Sequence, residues 1–192
     1  MKPGYNKSLL LVTVGGDHHP FDRLMRWVED WLVDEGDRVR CVVQHGPARP
    51  PAGTEATPYI PYDQMRALMA EARAVVSSGG PATLAEARQL GHRPVAVPRL
   101  TALGEAVDDH QRAFTTRLHD LGYVLQAETE AAFRMALDTA LDTPRIAPAI
   151  GELAPVTTIT RIGELIEATA SNSRRSRRGG WADARYRTSA GH

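Results

Sequence analysis

Two short apolar runs that end at paired glycines constrain this chain more than any other feature. Ser8 to Val14 reads Ser-Leu-Leu-Leu-Val-Thr-Val and meets Gly15-Gly16, and Ala74 to Ser77 leads into Ser78-Gly79-Gly80. A continuous apolar, β-branched run of this length reads as a strand buried on both faces, the kind found in parallel sheets. Parallel neighbours need crossover connections, and the intervening segments have helical character. Phe21, Leu24, Met25, Val28 and Leu32 form an apolar stripe at helical spacing. Arg38 to Gln44 is a second strand. Residues 45–58, rich in Pro, Gly and Ala, read as a loop, and Tyr59-Ile60 as a very short strand. Helices are expected over Asp63–Glu71 and over Pro81–Leu90, the latter with proline in its first turn and Gly91 at its end. Arg93–Val97 is a strand closed by Pro98, residues 99–108 are a loop, Asp109–Leu121 is a helix ended by Gly122, and Tyr123–Gln126 is the last strand. Further helices are expected at about 130–141 and 157–169. The alternation predicts an α/β fold, a doubly wound parallel sheet with helices on both faces.

Charge divides the chain in two. Residues 171–192 carry six arginines and one acid, so with an overall formal charge of zero, residues 1–170 carry a net charge of −5. A mildly acidic body argues against a nucleic-acid partner. The Ser/Arg/Gly-rich tail has no apolar period, and its composition predicts disorder. The expected organisation is one domain over 1–170 and a disordered basic tail over 171–192. A single cysteine, Cys41, excludes an internal disulfide and suits a reducing compartment. The run Leu9–Val14 is too short for a signal peptide, and no apolar stretch approaches the roughly 20 residues that span a bilayer. These features predict a cytoplasmic protein, with any membrane contact peripheral. The cluster Arg174-Arg175-Ser176-Arg177-Arg178 could be drawn to an anionic membrane or remain a solvated end.

In open α/β sheets, ligands bind beyond the carboxyl ends of the strands, where both glycine pairs fall. Glycine admits close backbone approach, and the helix starting at Pro81 offers free N–H groups and a partial positive charge. The alternative is that the glycines only make tight turns, but two such loops in one small domain favour a phosphate site. Neither loop continues as Gly-Lys-Ser/Thr, and neither reads Gly-x-Gly-x-x-Gly, which argues against a P-loop and a nicotinamide cofactor. Glu86, three residues after Thr83, either holds ribose hydroxyls or is a solvated helix-end acid. Asp108-Asp109-His110-Gln111 suits hydroxyl recognition at a helix start, or N-capping by either aspartate.

The ordered set of these motifs over about residues 8–126 resembles the C-terminal, donor-binding domain of the family 28 glycosyltransferases. The opening Val12-Thr13-Val14-Gly15-Gly16 with Phe21-Asp22-x-Leu24 is similar to the small soluble subunits of the split members. Gln44-His45-Gly46 resembles their Gln-x-Gly. Ser77-Ser78-Gly79-Gly80-Pro81-Ala82-Thr83-Leu84-Ala85-Glu86 resembles the nucleotide-sugar signature, followed in order by Arg93–Pro98 and Asp109-His110-Gln111. The resemblance implies a Rossmann-like half of a GT-B fold that binds a UDP-sugar as substrate, with no cofactor and no metal. It places the diphosphate on Gly15, Gly16, Gly79, Gly80 and Thr83, ribose on Glu86, uracil against the Ile60 backbone, and the sugar on His110 and Gln111, with Ser78 and Asp109 also among the donor-binding residues. Ser78 and Ala82 depart from the His and Gly of many relatives. The general base and acceptor site lie on the other half in fused relatives. They are therefore expected here on a membrane-anchored partner, at the cytoplasmic membrane face, in lipid-linked or polysaccharide precursor synthesis.

Two other readings compete. One is a non-catalytic nucleotide-sugar-binding regulatory subunit. The other is a metal-dependent hydrolase on Asp17-His18-His19 and Asp108-Asp109-His110, opposed by the expectation that adjacent His18 and His19 point in different directions. Trp27 and Trp31 flank the stripe of the first helix, and either close the edge of the core or face a partner.

Overall fold

A computed structural model describes residues 7–145 of the chain. Strands β1 (Ser8–Thr13), β2 (Val39–Gln44), β3 (Glu55–Thr57), β4 (Ala74–Ser78), β5 (Val95–Val97) and β6 (Leu125–Gln126) form one sheet. Every pairing is parallel, in the order β3-β2-β1-β4-β5-β6. The helices are α1 (Asp22–Glu35), α2 (Tyr62–Glu71), α3 (Pro81–Gln89), α4 (His110–Asp120) and α5 (Glu130–Asp142). Single turns of 3-10 helix lie at Gly36–Arg38 and Thr101–Leu103.

The order confirms a Rossmann-like doubly wound sheet. The central strands are buried on both faces, as their unbroken apolar runs require: Leu10, Val12, Val43, Val76 and Val95 are fully buried. On one face they pack beneath α1 and α5. On the other, Leu9, Leu11 and Val75 meet Met65 and Met69 of α2, and Ala96 meets Leu84 of α3 and Phe114 and Leu118 of α4.

Trp27 and Trp31 are both core residues, 5% and 1% exposed. Trp27 stacks at 5.9 Å on Phe133 of α5, which removes these indoles from any partner-facing surface. Burial pushes the Cys41 thiol up to about 12, so Cys41 is a packing residue rather than a nucleophile.

One element differs from expectation. The strand beside β2 is Glu55–Thr57, not Tyr59-Ile60. Ile60 instead plugs its side chain into the α2 core, and its N–H goes to a side chain rather than to a strand. The helix expected at 157–169 and the basic tail at 171–192 lie outside the described residues.

Candidate functional site

From β1 the chain winds outward through β2 to β3; from β4 it winds the other way through β5 to β6. β1 and β4 are neighbours, so their carboxyl ends mark the point where the winding reverses and a crevice opens. A cleft of about 200 Å³ occupies it. Its walls are Val14 to Asp17 on one loop, Ser78 and Gly80 to Thr83 on the other, and Gln111 of α4. A larger open hollow of about 990 Å³ lies near the opposite ends of the strands, between the last turns of α1 and the start of β2. It holds neither glycine pair, so the chemistry points to the smaller cleft.

The cleft offers groups that suit an anion. Gly80 precedes α3 in extended conformation with no side-chain cap, and Pro81 occupies the first turn. Proline has no N–H, and the N–H groups of Ala82 and Thr83 have no intrahelical acceptor, so both are available to a ligand. Gly15 adopts a left-handed conformation, φ 75°, that L side chains rarely adopt. Its N–H meets the Thr13 hydroxyl (3.3 Å) and its carbonyl accepts from Gln44 Nε2 (3.0 Å). Gln44 then accepts the Ile60 N–H through Oε1 (3.0 Å), tying the glycine loop to the segment before α2. With that N–H occupied, the Ile60 carbonyl is the backbone group a base would meet. Ser78 Oγ donates to the Val14 carbonyl (3.2 Å), so this residue lines the cleft while its hydroxyl fastens β4 to β1.

Gly79 is required for space. A Cβ there would lie 2.9 Å from Gln111 Cβ, 2.9 Å from Thr115 Cγ2 and 3.2 Å from the Gln111 carbonyl. The glycine lets α4 close against the loop, which brings Gln111 into the cleft wall. Gly16 has nothing within 4 Å of such an atom. Gly16→Ala is therefore expected to leave the thermal midpoint unchanged while weakening nucleoside diphosphate binding about tenfold, the effect of one misplaced backbone contact. Calorimetric titration of the variant measures this, and full retained affinity would place the ligand away from Gly16.

Glu86, Asp109 and His110 are not among the residues that wall the cleft. Glu86 is one turn beyond Thr83; its carboxylate accepts from the Tyr62 hydroxyl, an interaction that raises the Tyr62 pKa, and lies 3.8 Å from Arg66 Nε. Glu86 thus faces the start of α2, on the Ile60 side. Asp109 does not cap α4: its Oδ1 accepts from the Thr101 N–H (3.0 Å) and hydroxyl (2.8 Å), which hold its pKa down. Asp108 serves the helix start, its Oδ1 accepting the His110 N–H (3.3 Å) and contacting His110 Nδ1. Gln111 Oε1 accepts from the Arg99 N–H (3.3 Å).

Sequence reasoning missed the support beneath these loops. Arg99, fully buried, donates through Nη2 to the Val14 carbonyl (3.1 Å), and through Nη1 to the carbonyls of His19 (2.9 Å) and Glu105 (3.2 Å). Burial lowers its pKa, while Asp17 and Glu105 oppose that shift. Beside it, Arg23 of α1 grips Glu105 bidentately at 2.9 and 2.8 Å and donates to the Pro98 carbonyl (2.8 Å). This network joins the β1 loop to residues 98–105. The contacts that link the two regions span 75 to 85 positions, and an arginine just after Pro98 reads from sequence as a solvated loop residue.

Contrary to the expectation for adjacent histidines, His18 and His19 both turn Nδ1 toward Asp17 Oδ1, at 3.7 and 2.7 Å. Burial disfavours the Asp17 carboxylate. Hydrogen bonds from the His19 backbone and imidazole, and the nearby Arg99 charge, outweigh it and hold the Asp17 pKa below its ordinary value.

The parallel sheet with a cleft at its winding reversal is an α/β fold of the Rossmann type. The comparisons with known proteins give the family: residues 9–146 match the glycosyltransferase family 28 C-terminal domain, and the chain belongs to that family. No curated protein matches. Among solved structures, the chain is similar to the glycotransferase of kitacinnamycin (TM-score 0.58, 18% identity, 86% of this chain and 41% of that one). It is also similar to the spinosyn forosaminyltransferase SpnP (TM-score 0.51, 21% identity, 83% and 40%). A third similar structure is the glycosyltransferase SnogD from Streptomyces nogalater (TM-score 0.51, 17% identity, 86% and 41%). The chain spans about two fifths of the length of these structures. At such identities the likeness shows the fold.

Proposed function

We propose that this chain is the donor-binding part of a hexosyltransferase that uses a UDP-sugar. The observation that carries this reading is the pairing of the Gly15-Gly16 loop with the uncapped start of α3 across one cleft, in a member of a glycosyltransferase family. The diphosphate sits in the cleft, on the Ala82 and Thr83 N–H groups. Ribose reaches Glu86 and uracil the Ile60 carbonyl, since both lie on the α2 side of the cleft. The hexose lies toward His110 and Gln111. The acceptor hydroxyl attacks the anomeric carbon, the bond from that carbon to the diphosphate breaks, and the hydroxyl proton passes to a base outside this site. Charge developing on the leaving UDP is stabilised by the free N–H groups and the α3 dipole.

The acceptor, a lipid-linked or polysaccharide precursor, is held by a second unit at the cytoplasmic membrane face. In-line attack needs both reactants positioned, and the described cleft supplies the donor side. In this proposal the partner provides the membrane anchor; among the described residues no helix is long and apolar enough to cross a membrane.

The test is titration of the chain with UDP, GDP and TDP, then turnover of UDP-sugars on a lipid-linked acceptor with and without source membranes. UDP binding and membrane-dependent turnover are expected. Failure to bind any nucleoside diphosphate would sink the donor reading, and full turnover by the chain alone would sink the partner. Glu86→Ala is expected to weaken UDP binding by about 1–3 kcal/mol, the cost of losing a charged hydrogen-bond partner. Unchanged UDP affinity would remove Glu86 from the ribose.

A further inference from the structure

We propose that a small cavity at the amino ends of β4, β5 and β6 binds one phosphate-sized oxyanion between Arg73, Arg93 and Arg145. The site lies at the opposite end of the sheet from the donor cleft and stands without the donor reading.

The cavity has a volume of about 120 Å³. That is ample for a small tetrahedral ion and below the roughly 300–1,000 Å³ of sites that enclose larger ligands. Three separate stretches meet there: Arg73 just before β4, His92 and Arg93 in the turn before β5, and Arg145 beyond α5. The rest of the wall includes Ala74, Val75 and Leu125, and no carboxylate lines it among the described residues. Elsewhere on the surface, arginines are matched with acids: Arg40 with Glu55 and Glu71, Arg112 with Glu128, Arg134 with Asp34. Among the described residues, no carboxylate pairs with Arg73, Arg93 or Arg145.

Helix ends account for only part of this charge. Arg73 donates through Nε to the Leu141 carbonyl (2.7 Å) and through Nη2 to the Asp142 carbonyl (3.3 Å), at the end of α5. Arg145 donates to the Ala70 carbonyl, and the buried His92 donates through Nε2 to the Met69 carbonyl (2.7 Å), both at the end of α2. A helix carboxyl end carries about half a negative charge, so the two together offset roughly one of the three arginine charges. About two positive charges remain. Arg93 serves neither helix, and its Nε is buried with no acceptor. A buried charged donor without an acceptor is costly, and an occupant that supplies one removes the cost. A phosphate-like oxyanion does so, offering several acceptor oxygens to planar guanidinium groups and about the charge the cavity lacks.

The experiment follows the thermal midpoint of the full chain as chloride is exchanged for inorganic phosphate at constant ionic strength, with glycerol phosphate in a parallel series. A saturable rise is expected, unlike the general stabilisation that kosmotropic anions give any fold. Arg93→Gln is expected to weaken phosphate binding at least about tenfold. Its Nε holds no acceptor, so the substitution breaks no bond there, and Arg145→Gln at an exposed position supplies a second variant. Gly16→Ala, in the donor cleft, is expected to keep the phosphate response. Tighter binding of phosphate marks the free ion as the occupant, and tighter binding of glycerol phosphate marks the head of a monoester; either supports the site. No saturable response, or a response that survives in both arginine variants, overturns it. A response lost in Gly16→Ala and kept in the arginine variants assigns the ion to the donor cleft and likewise overturns this site.

Discussion

Replacing Arg99 with methionine is expected to lower folding stability by roughly 2–6 kcal/mol. The side chain is fully buried, and its guanidinium serves the carbonyls of Val14, His19 and Glu105. Ser78 still donates to Val14 in the variant, so the cost falls on the His19 and Glu105 carbonyls, at about 1–3 kcal/mol for each buried acceptor left without a donor. Methionine fills much of the volume but cannot donate. Arg99→Lys keeps the charge, yet a single ammonium cannot copy a planar fork that reaches two loops, so it is expected to recover only part of the loss. The urea midpoint measures both variants. An unchanged midpoint in Arg99→Met would mean that the loops hold their shape without the guanidinium. Because the guanidinium also holds the Val14 carbonyl, and Val14 lines the cleft, affinity for UDP is expected to fall together with stability.

Gly79→Val is expected to cost at least about 1–3 kcal/mol, the range for overfilling a packed region. Two of the contacts a Cβ would make, at 2.9 Å to Gln111 Cβ and 3.2 Å to its carbonyl, belong to α4 near its backbone. A flexible tip could swing aside, whereas here the helix must move. Moving it withdraws Gln111 from the cleft, so affinity for a UDP-sugar is expected to fall more than affinity for UDP. Thermal unfolding with paired titrations of the two ligands tests this. A variant with wild-type stability would show that the loop yields instead. The contrast with Gly16, whose surroundings are empty, separates glycines kept for packing from those kept for ligand approach.

The central strands were legible because burial on both faces imposes an unbroken apolar run, visible in Leu9–Val14 and in Ala74–Val76 before their glycines. β3 was not. Glu55-Ala56-Thr57 is an exposed edge of three residues with no run and no alternation, while Tyr59-Ile60 carried the β-forming side chains and turned out to be an anchor for α2. The loops of the site were legible for the same reason as the strands they end. The Arg23–Glu105 pair and the Arg99 clamp were not, because nothing local marks a charge that will be buried against carbonyls 75 to 85 residues away. The two aspartates before α4 divided their work in a way that spacing alone left open: Asp108 serves the helix and Asp109 serves Thr101.

Both margins of the sheet are short, three residues in β3 and two in β6. A long unpaired margin is a template on which a second chain can lay a strand, the first step toward fibrils and mispaired oligomers. Margins this brief offer few backbone groups to such growth. Among the described residues, the fold therefore protects itself from self-templating by its outline, and concentrated solutions are expected to stay free of strand-mediated aggregates.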